Sequence, residues 1–194
     1  MLGLGDNSGA IRYFETFFQA EANESLPIAR NYCFPACLGA CEAWLSQGEL
    51  SKARYYAQRL HDLSVDAPER TYLALSYRFF AEIAMAENAL EEAGAQITQA
   101  LGIVDNAEIP LATWRVYASA EKLYRLQGEA ASASQFEVKK LFAVDKLLGS
   151  LQDADPLREH LSNFTKIHAA RVMSEVPRQA NSVTPSADVL WYAA

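Results

Sequence analysis

No stretch of this chain of 194 residues approaches the roughly 18 uncharged apolar residues that a membrane-spanning helix needs. The opening Met1-Leu2-Gly3-Leu4-Gly5-Asp6 has neither the basic flank nor the apolar run of a secretion signal, so the expected compartment is the cytoplasm and no membrane partner is expected. Basic residues are also scarce: 17 Lys and Arg stand against 24 Asp and Glu, giving a net charge of -7, and no Lys/Arg cluster dominates. Nucleic acid is therefore not expected as a partner, because phosphate contacts need a basic face. Cysteine is limited to Cys33, Cys37 and Cys41, an odd number at a spacing of four that stacks the thiols on one helix face. Zinc wants four ligands and no His or carboxylate cluster lies near them, so small buried side chains at a close helix crossing are expected instead.

The residue patterns of an enzyme are missing too. No nucleophile stands with its base, no metal-ligand set recurs, and the Gly-rich start from Gly3 to Gly9 follows no strand that would make it a phosphate loop; it reads as a flexible start capped by Ser8. His61, His160 and His168 have no catalytic partner at a recognised spacing. Glu91-Glu92 and the pair Asp153 and Asp155 suit the positive ends of helices. The expectation is a non-enzymatic protein without cofactor or metal.

What the chain does have is a repeat. Gly48, Asn88 and Gly128 recur every forty residues, and each is followed five positions later by alanine: Ala53, Ala93 and Ala133. A chain that leaves one helix and at once enters an antiparallel one needs a left-handed residue at the junction, which Gly adopts freely and Asn tolerates. The alanines then mark where the two helices of each hairpin touch. Pro27, Pro68 and Pro110 precede successive hairpins, and Asp66 and Asp155 read as helix N-caps. Apolar residues keep helical spacing between these markers, as in Leu73, Tyr77, Phe80, Ala81 and Ala84, and no run alternates at period two. The pattern predicts helices at about 9–22, 28–47, 50–63, 69–87, 89–104, 111–127, 129–150 and 156–174. Past Val176 the sequence turns polar and proline-containing, which predicts a disordered tail over 175–194 ending in Leu190-Trp191-Tyr192-Ala193-Ala194.

Helix, Gly turn, helix, with a small residue five positions after the turn and a proline near each repeat end, resembles the tetratricopeptide repeat in a long variant of about forty residues; HEAT-type repeats are the structural alternative. The stretch from Pro110 through Trp114 and Gly128 to Asp155-Pro156 is similar to the C-terminal helical-repeat region of bacterial signalling ATPases and cyclases and of maltose-activator-like regulators. Ala84, Glu137 and Lys140 depart from the motif, leaving the register of the third hairpin open. The resemblance implies an all-α fold, a right-handed superhelical α-solenoid of antiparallel hairpins with seven or eight helices. It would form one domain over 1–174, with repeats at about 28–68, 69–109 and 110–150 and ends capped by 9–22 and 156–174, or else self-associating through uncapped ends.

In such an array the first helix of each hairpin lines a concave groove. Leu38, Glu42 and Leu45, then Leu75, Arg78, Glu82 and Met85, then Arg115, Lys122 and Arg125 are the expected lining residues. Four cations facing one groove would attract a carboxylate, so the expected role is a scaffold or adaptor binding an acidic peptide or protein. The alternative is a regulatory segment that senses a small effector within a transcription or cyclase-type signalling system.

Overall fold

The computed structural model describes residues 7–22 and 30–152, together with Arg158 and Ser162. The chain divides into two units, Met1–Leu151 and Gln152–Ala194. Every described element is an α-helix, and all seven lie in the first unit: α1 (Asn7–Ala22), α2 (Arg30–Ser46), α3 (Leu50–Ser64), α4 (Thr71–Ala86), α5 (Leu90–Val104), α6 (Pro110–Leu126) and α7 (Ala130–Ser150). None of the described helices is long and apolar enough to cross a membrane. Pro27, the predicted helix over 156–174 and the predicted tail fall outside the described residues, except that Arg158 and Ser162 are helical.

Three pairs, α2–α3, α4–α5 and α6–α7, are hairpins closed by the same turn. In the first, Gly48 N–H donates to Leu45 C=O (3.1 Å) and Glu49 N–H to Trp44 C=O (3.0 Å). The bonds recur as Asn88 to Met85 and Ala89 to Ala84, and again as Gly128 to Arg125 and Glu129 to Tyr124. This is the Schellman closure, which satisfies the last carbonyls of a helix and needs a left-handed residue. Gly48, Asn88 and Gly128 supply it, with φ of 77°, 61° and 78°. Replacing Gly128 by alanine, which adds a Cβ in the left-handed region, should lower stability by about 1 kcal/mol with no change in helix content. Chemical denaturation followed by circular dichroism checks this.

The alanines after each turn are buried: Ala53 and Ala93 are fully inaccessible and Ala133 nearly so. Cys41 shows why, since its thiol rests 3.3 Å from the Ala53 carbonyl, a distance that leaves no room for a larger residue between α2 and α3. Helix starts follow simpler rules. Pro110 opens α6, where its missing N–H is no loss. Asp66 is not the N-cap expected for the following helix: α4 begins at Thr71, its cap position is Arg70 with no side-chain capping bond, and Glu69 accepts the Thr71 N–H at 2.7 Å. Ser8 likewise lies inside α1, which begins at Asn7.

Packing is divided among three apolar clusters. One joins α1 to the first hairpin and to Phe79 and Ile83 of α4, with Phe18 of α1 ring-to-ring against Tyr56 at 4.9 Å. A second unites Ala81, Ala84, Ala93, Ile97, Ala120 and Leu123. The third holds Leu75, Ala100, Val104 and Val116 together. Helices α4 and α6 thus pack on each other as well as on their hairpin partners, and α2 packs on α4, so the first helices of successive hairpins are neighbours.

The third hairpin is in register, and its two motif departures have a structural explanation. At the forty-residue period, Glu121 takes the place of Cys41 and Ala81, and Lys140 that of Leu60 and Ala100. All six positions are buried. Lys140 Nζ donates to Glu121 Oε2 at 2.6 Å, so two positions that are apolar and buried in the other hairpins hold an ion pair in α6–α7. Glu137 meets Arg125 at 3.0 Å.

Candidate functional site

Side by side, α2, α4 and α6 carry a continuous polar seam. Arg78 of α4 donates through Nη1 to Glu42 of α2 (3.2 Å) and through Nε to Ser119 of α6 (3.2 Å). The Ser119 hydroxyl in turn donates to Glu82 Oε1 at 2.7 Å, and Lys122 donates to Glu82 Oε2 at 2.5 Å. One turn further, Arg125 bridges Glu121 (2.9 Å) and Glu137 (3.0 Å). The repeat places these groups: Glu42, Glu82 and Lys122 occupy one position of successive first helices, and Arg78 precedes Glu82 by a single helical turn.

Glu42, Arg78, Glu82 and Lys122, all expected in a groove, are therefore brought together, but as partners of one another. Glu82 is buried with both oxygens occupied. Leu38 and Leu45 are half-buried against the apolar clusters. Leu75 and Met85 are corrected: they are 1 % and 6 % exposed, core residues between helices and not surface offered to a guest. Arg125 is exposed but already bridges two carboxylates.

Arg115 differs from the rest. Its guanidinium is half-buried and lies over the Trp114 ring at 5.1 Å, yet it donates no hydrogen bond among the described residues. Burial holds its pKa below the usual arginine value; nearby Glu42 opposes this and nearby Arg78 adds to it. Both guanidiniums thus lie in the field of half-exposed Glu42, and Arg78 lies in that of Glu82 as well. On α2, α4 and α6 the seam contains four cations (Arg78, Arg115, Lys122, Arg125) and three carboxylates (Glu42, Glu82, Glu121), one positive charge in excess on a chain of charge -7.

The buried carboxylates give the seam a pH dependence. Burial alone would raise the Glu82 pKa, but Arg78, Lys122 and Ser119 outweigh it and hold it below the ordinary 4.5. Glu121 is likewise held low, by Lys140 and Arg125 against the effect of burial. A carboxylate with a folded-state pKa below its unfolded one contributes stability above the unfolded value and loses it as pH falls through the folded one. The melting temperature should therefore be nearly level from pH 7 to about 5 and fall steeply below about pH 4. Glu82→Gln should flatten that fall in a calorimetric pH series.

Sequence reasoning missed Ser119, Glu121 and Lys140. Laying the chain out at period forty would have exposed the last two, since opposite charges then occupy positions that are apolar in both other hairpins.

Outside the seam, a recess of about 570 Å³ lies between the α5–α6 connection and α7, lined by Val104, Asp105, Glu108, Ile109, Tyr117, Phe142 and Lys146 among others. Lys146 reaches Glu108 at 3.1 Å, and Tyr117 donates to Asp105 at 2.9 Å; burial, with that bond, pushes the Tyr117 pKa up to about 12. The cysteines are free and buried, and burial pushes the Cys37 thiol up to about 12 and Cys41 further, so both are protonated at neutral pH. Among the described residues, no three His, Cys, Asp or Glu side chains gather where they could hold a metal ion. His160, His168, Asp153 and Asp155 fall outside the described residues. No family model, curated protein or solved structure matches this chain.

Proposed function

We propose that this chain is a tetratricopeptide-like adaptor that binds an acidic segment of a partner protein along the face formed by α2, α4 and α6. The observation that carries the reading is Arg115, a half-buried guanidinium without a hydrogen-bonded acceptor among the described residues, beside Arg78 on a neighbouring first helix. A desolvated guanidinium gains more from a carboxylate than a solvated one, and its planar donors suit a bidentate contact. An acidic chain with one positive seam also steers a guest to that seam and keeps like-charged surfaces apart. The absence of any recognised catalytic pattern in the sequence supports binding over catalysis, and a role in bacterial cytoplasmic regulation or signalling follows from the resemblance described above.

A peptide array in which each acidic member is presented both with a free C-terminal carboxylate and as its amide tests the proposal. Acidic members should bind, with affinity falling about tenfold or more on Arg115→Ala, a loss of roughly one charge-assisted hydrogen bond. Arg78→Glu and Lys122→Glu should also abolish binding, but they break ion pairs of the fold, so their melting temperatures must be read alongside. Binding indifferent to Arg115→Ala and Lys122→Glu would defeat the assignment.

A second reading, sensing of a small effector, is favoured by the recess beside α7, whose volume suits a small molecule. A thermal-shift screen with sugars and nucleotides addresses it, since a ligand selective for the folded state raises the melting temperature.

A further inference from the structure

We infer that Glu42 is a resident stand-in for the guest: its carboxylate occupies the place on Arg78 that a partner's carboxylate takes on binding, and it swings out to admit it. The inference rests on the adaptor reading above and assigns the regulation of that same site.

The two carboxylates of the seam are held very differently. Glu82 is buried and receives Ser119 and Lys122 on separate oxygens. Its place in the fold is fixed from α4 and α6 together. Glu42 is the looser one: its side chain is 37 % exposed, and its one hydrogen bond among the described residues is the 3.2 Å contact from Arg78. Such a half-exposed single contact is weak and exchanges readily with water. Arg78, by contrast, is only 15 % exposed in its side chain and is also anchored through Nε to Ser119, so it stays in place when Glu42 leaves.

Arg115 supplies the other half of the argument. It is close enough for Glu42 to favour its charge and for Arg78 to oppose it, yet Glu42 makes no hydrogen bond to it. A single side-chain carboxylate tethered to α2 satisfies one of the two guanidiniums. An untethered carboxylate can approach both, relieving the repulsion between them. Glu42 meanwhile adds to Glu82 in balancing the charge of the largely buried Arg78 when no guest is bound. The site is thus held closed by its own acid, and affinity is set by the difference between guest and resident.

The probe is N-acetyl-Glu-Glu-Leu with a free terminal carboxylate, beside its C-terminal amide, titrated into the full chain and followed at the arginine Nε–H resonances by nuclear magnetic resonance. Glu42→Gln removes the resident charge while keeping its size, and should tighten binding of the free acid about five- to tenfold, with the Arg115 resonance shifting most. Glu42→Gln/Arg115→Ala should lose that gain. If the amide gains as much as the free acid, the side-chain carboxylates of the probe are the ones captured; a gain confined to the free acid assigns the terminus. Both support the inference. An unchanged or weakened affinity in Glu42→Gln, or no binding to either protein, overturns it. Acidic peptides that bind the array in an Arg115-dependent way while Glu42→Gln has no effect would sink this inference and leave the adaptor reading standing. A melting temperature for Glu42→Gln close to that of the parent shows that the fold is intact; should it fall, Glu42→Asp, which shortens the resident acid away from Arg78, must give the same tightening.

Discussion

Glu121→Ala should cost about 3–5 kcal/mol of folding stability, among the largest effects of any single substitution in the chain, because it removes the carboxylate bonded to the buried Lys140 ammonium inside α6–α7. Lys140 is only 2 % exposed, and water cannot replace what the mutation removes. The reason lies in the repeat itself. The equivalent pairs in the other hairpins, Cys41 with Leu60 and Ala81 with Ala100, are apolar and fully buried. The double variant Glu121→Ala/Lys140→Leu returns the third hairpin to that pattern and should recover to within about 1 kcal/mol of the parent or exceed it, since a buried pair is seldom better than well-packed apolar side chains. Arg125 keeps Glu137 as its partner in the double variant. Urea denaturation of the four proteins of the cycle gives the coupling directly. Losses that simply add in the double variant would mean that the two residues do not depend on each other.

Phe79→Ala carries the second large effect, about 3–5 kcal/mol for a fully buried aromatic. Its position shows what the ring does beyond filling space. At the forty-residue period Phe79 corresponds to Gly39 and Ser119, on the side of each first helix that faces the preceding element. Gly39 receives the Phe14 ring of α1, which a Cβ there would strike. Phe79 reaches back into the cluster of the first hairpin, and Ser119 bonds to Glu82 and Arg78 of the second. One sequence position thus makes three unlike contacts, each tying a repeat to what comes before it. In a stack held by nearest-neighbour contacts, cutting one of them reduces cooperativity as well as stability. Phe79→Ala should therefore separate two transitions: in a Trp114→Phe/Trp191→Phe background, Trp44 fluorescence, then reporting the first hairpin, should change at lower denaturant than the helical signal of the whole. A single coincident transition would show that the first two hairpins do not depend on this ring.

The parts of this fold legible in the sequence are those fixed by backbone chemistry. Gly48, Asn88 and Gly128 announce their turns because few residues tolerate positive φ, and the alanines five positions on announce close helix contact because nothing larger fits. Seven of the expected helices coincide with α1 to α7 within a few residues. Capping was less legible: Asp66 has the right chemistry for a cap, but the chain runs on through Ala67 and Pro68, and the cap position falls at Arg70, which makes no side-chain capping bond. The candidate site was half legible. Helical spacing correctly put Glu42, Arg78, Glu82 and Lys122 near one another, yet spacing alone does not say whether charges on adjacent helices face outward or pair across the crossing. That is decided by how closely α2, α4 and α6 approach, a tertiary quantity. Met85 was misplaced for the same reason, since α4 is packed on several sides and has little free face.

The most direct test of the account is a map of where an acidic guest touches the chain. Backbone amide resonances, followed while the best-binding acidic peptide of the array is added, should shift along α2, α4 and α6 around Glu42, Arg78 and Arg115, and stay still in α7 and the α5–α6 connection. Shifts gathered at Asp105, Glu108 and Phe142 instead, around the recess, would contradict it.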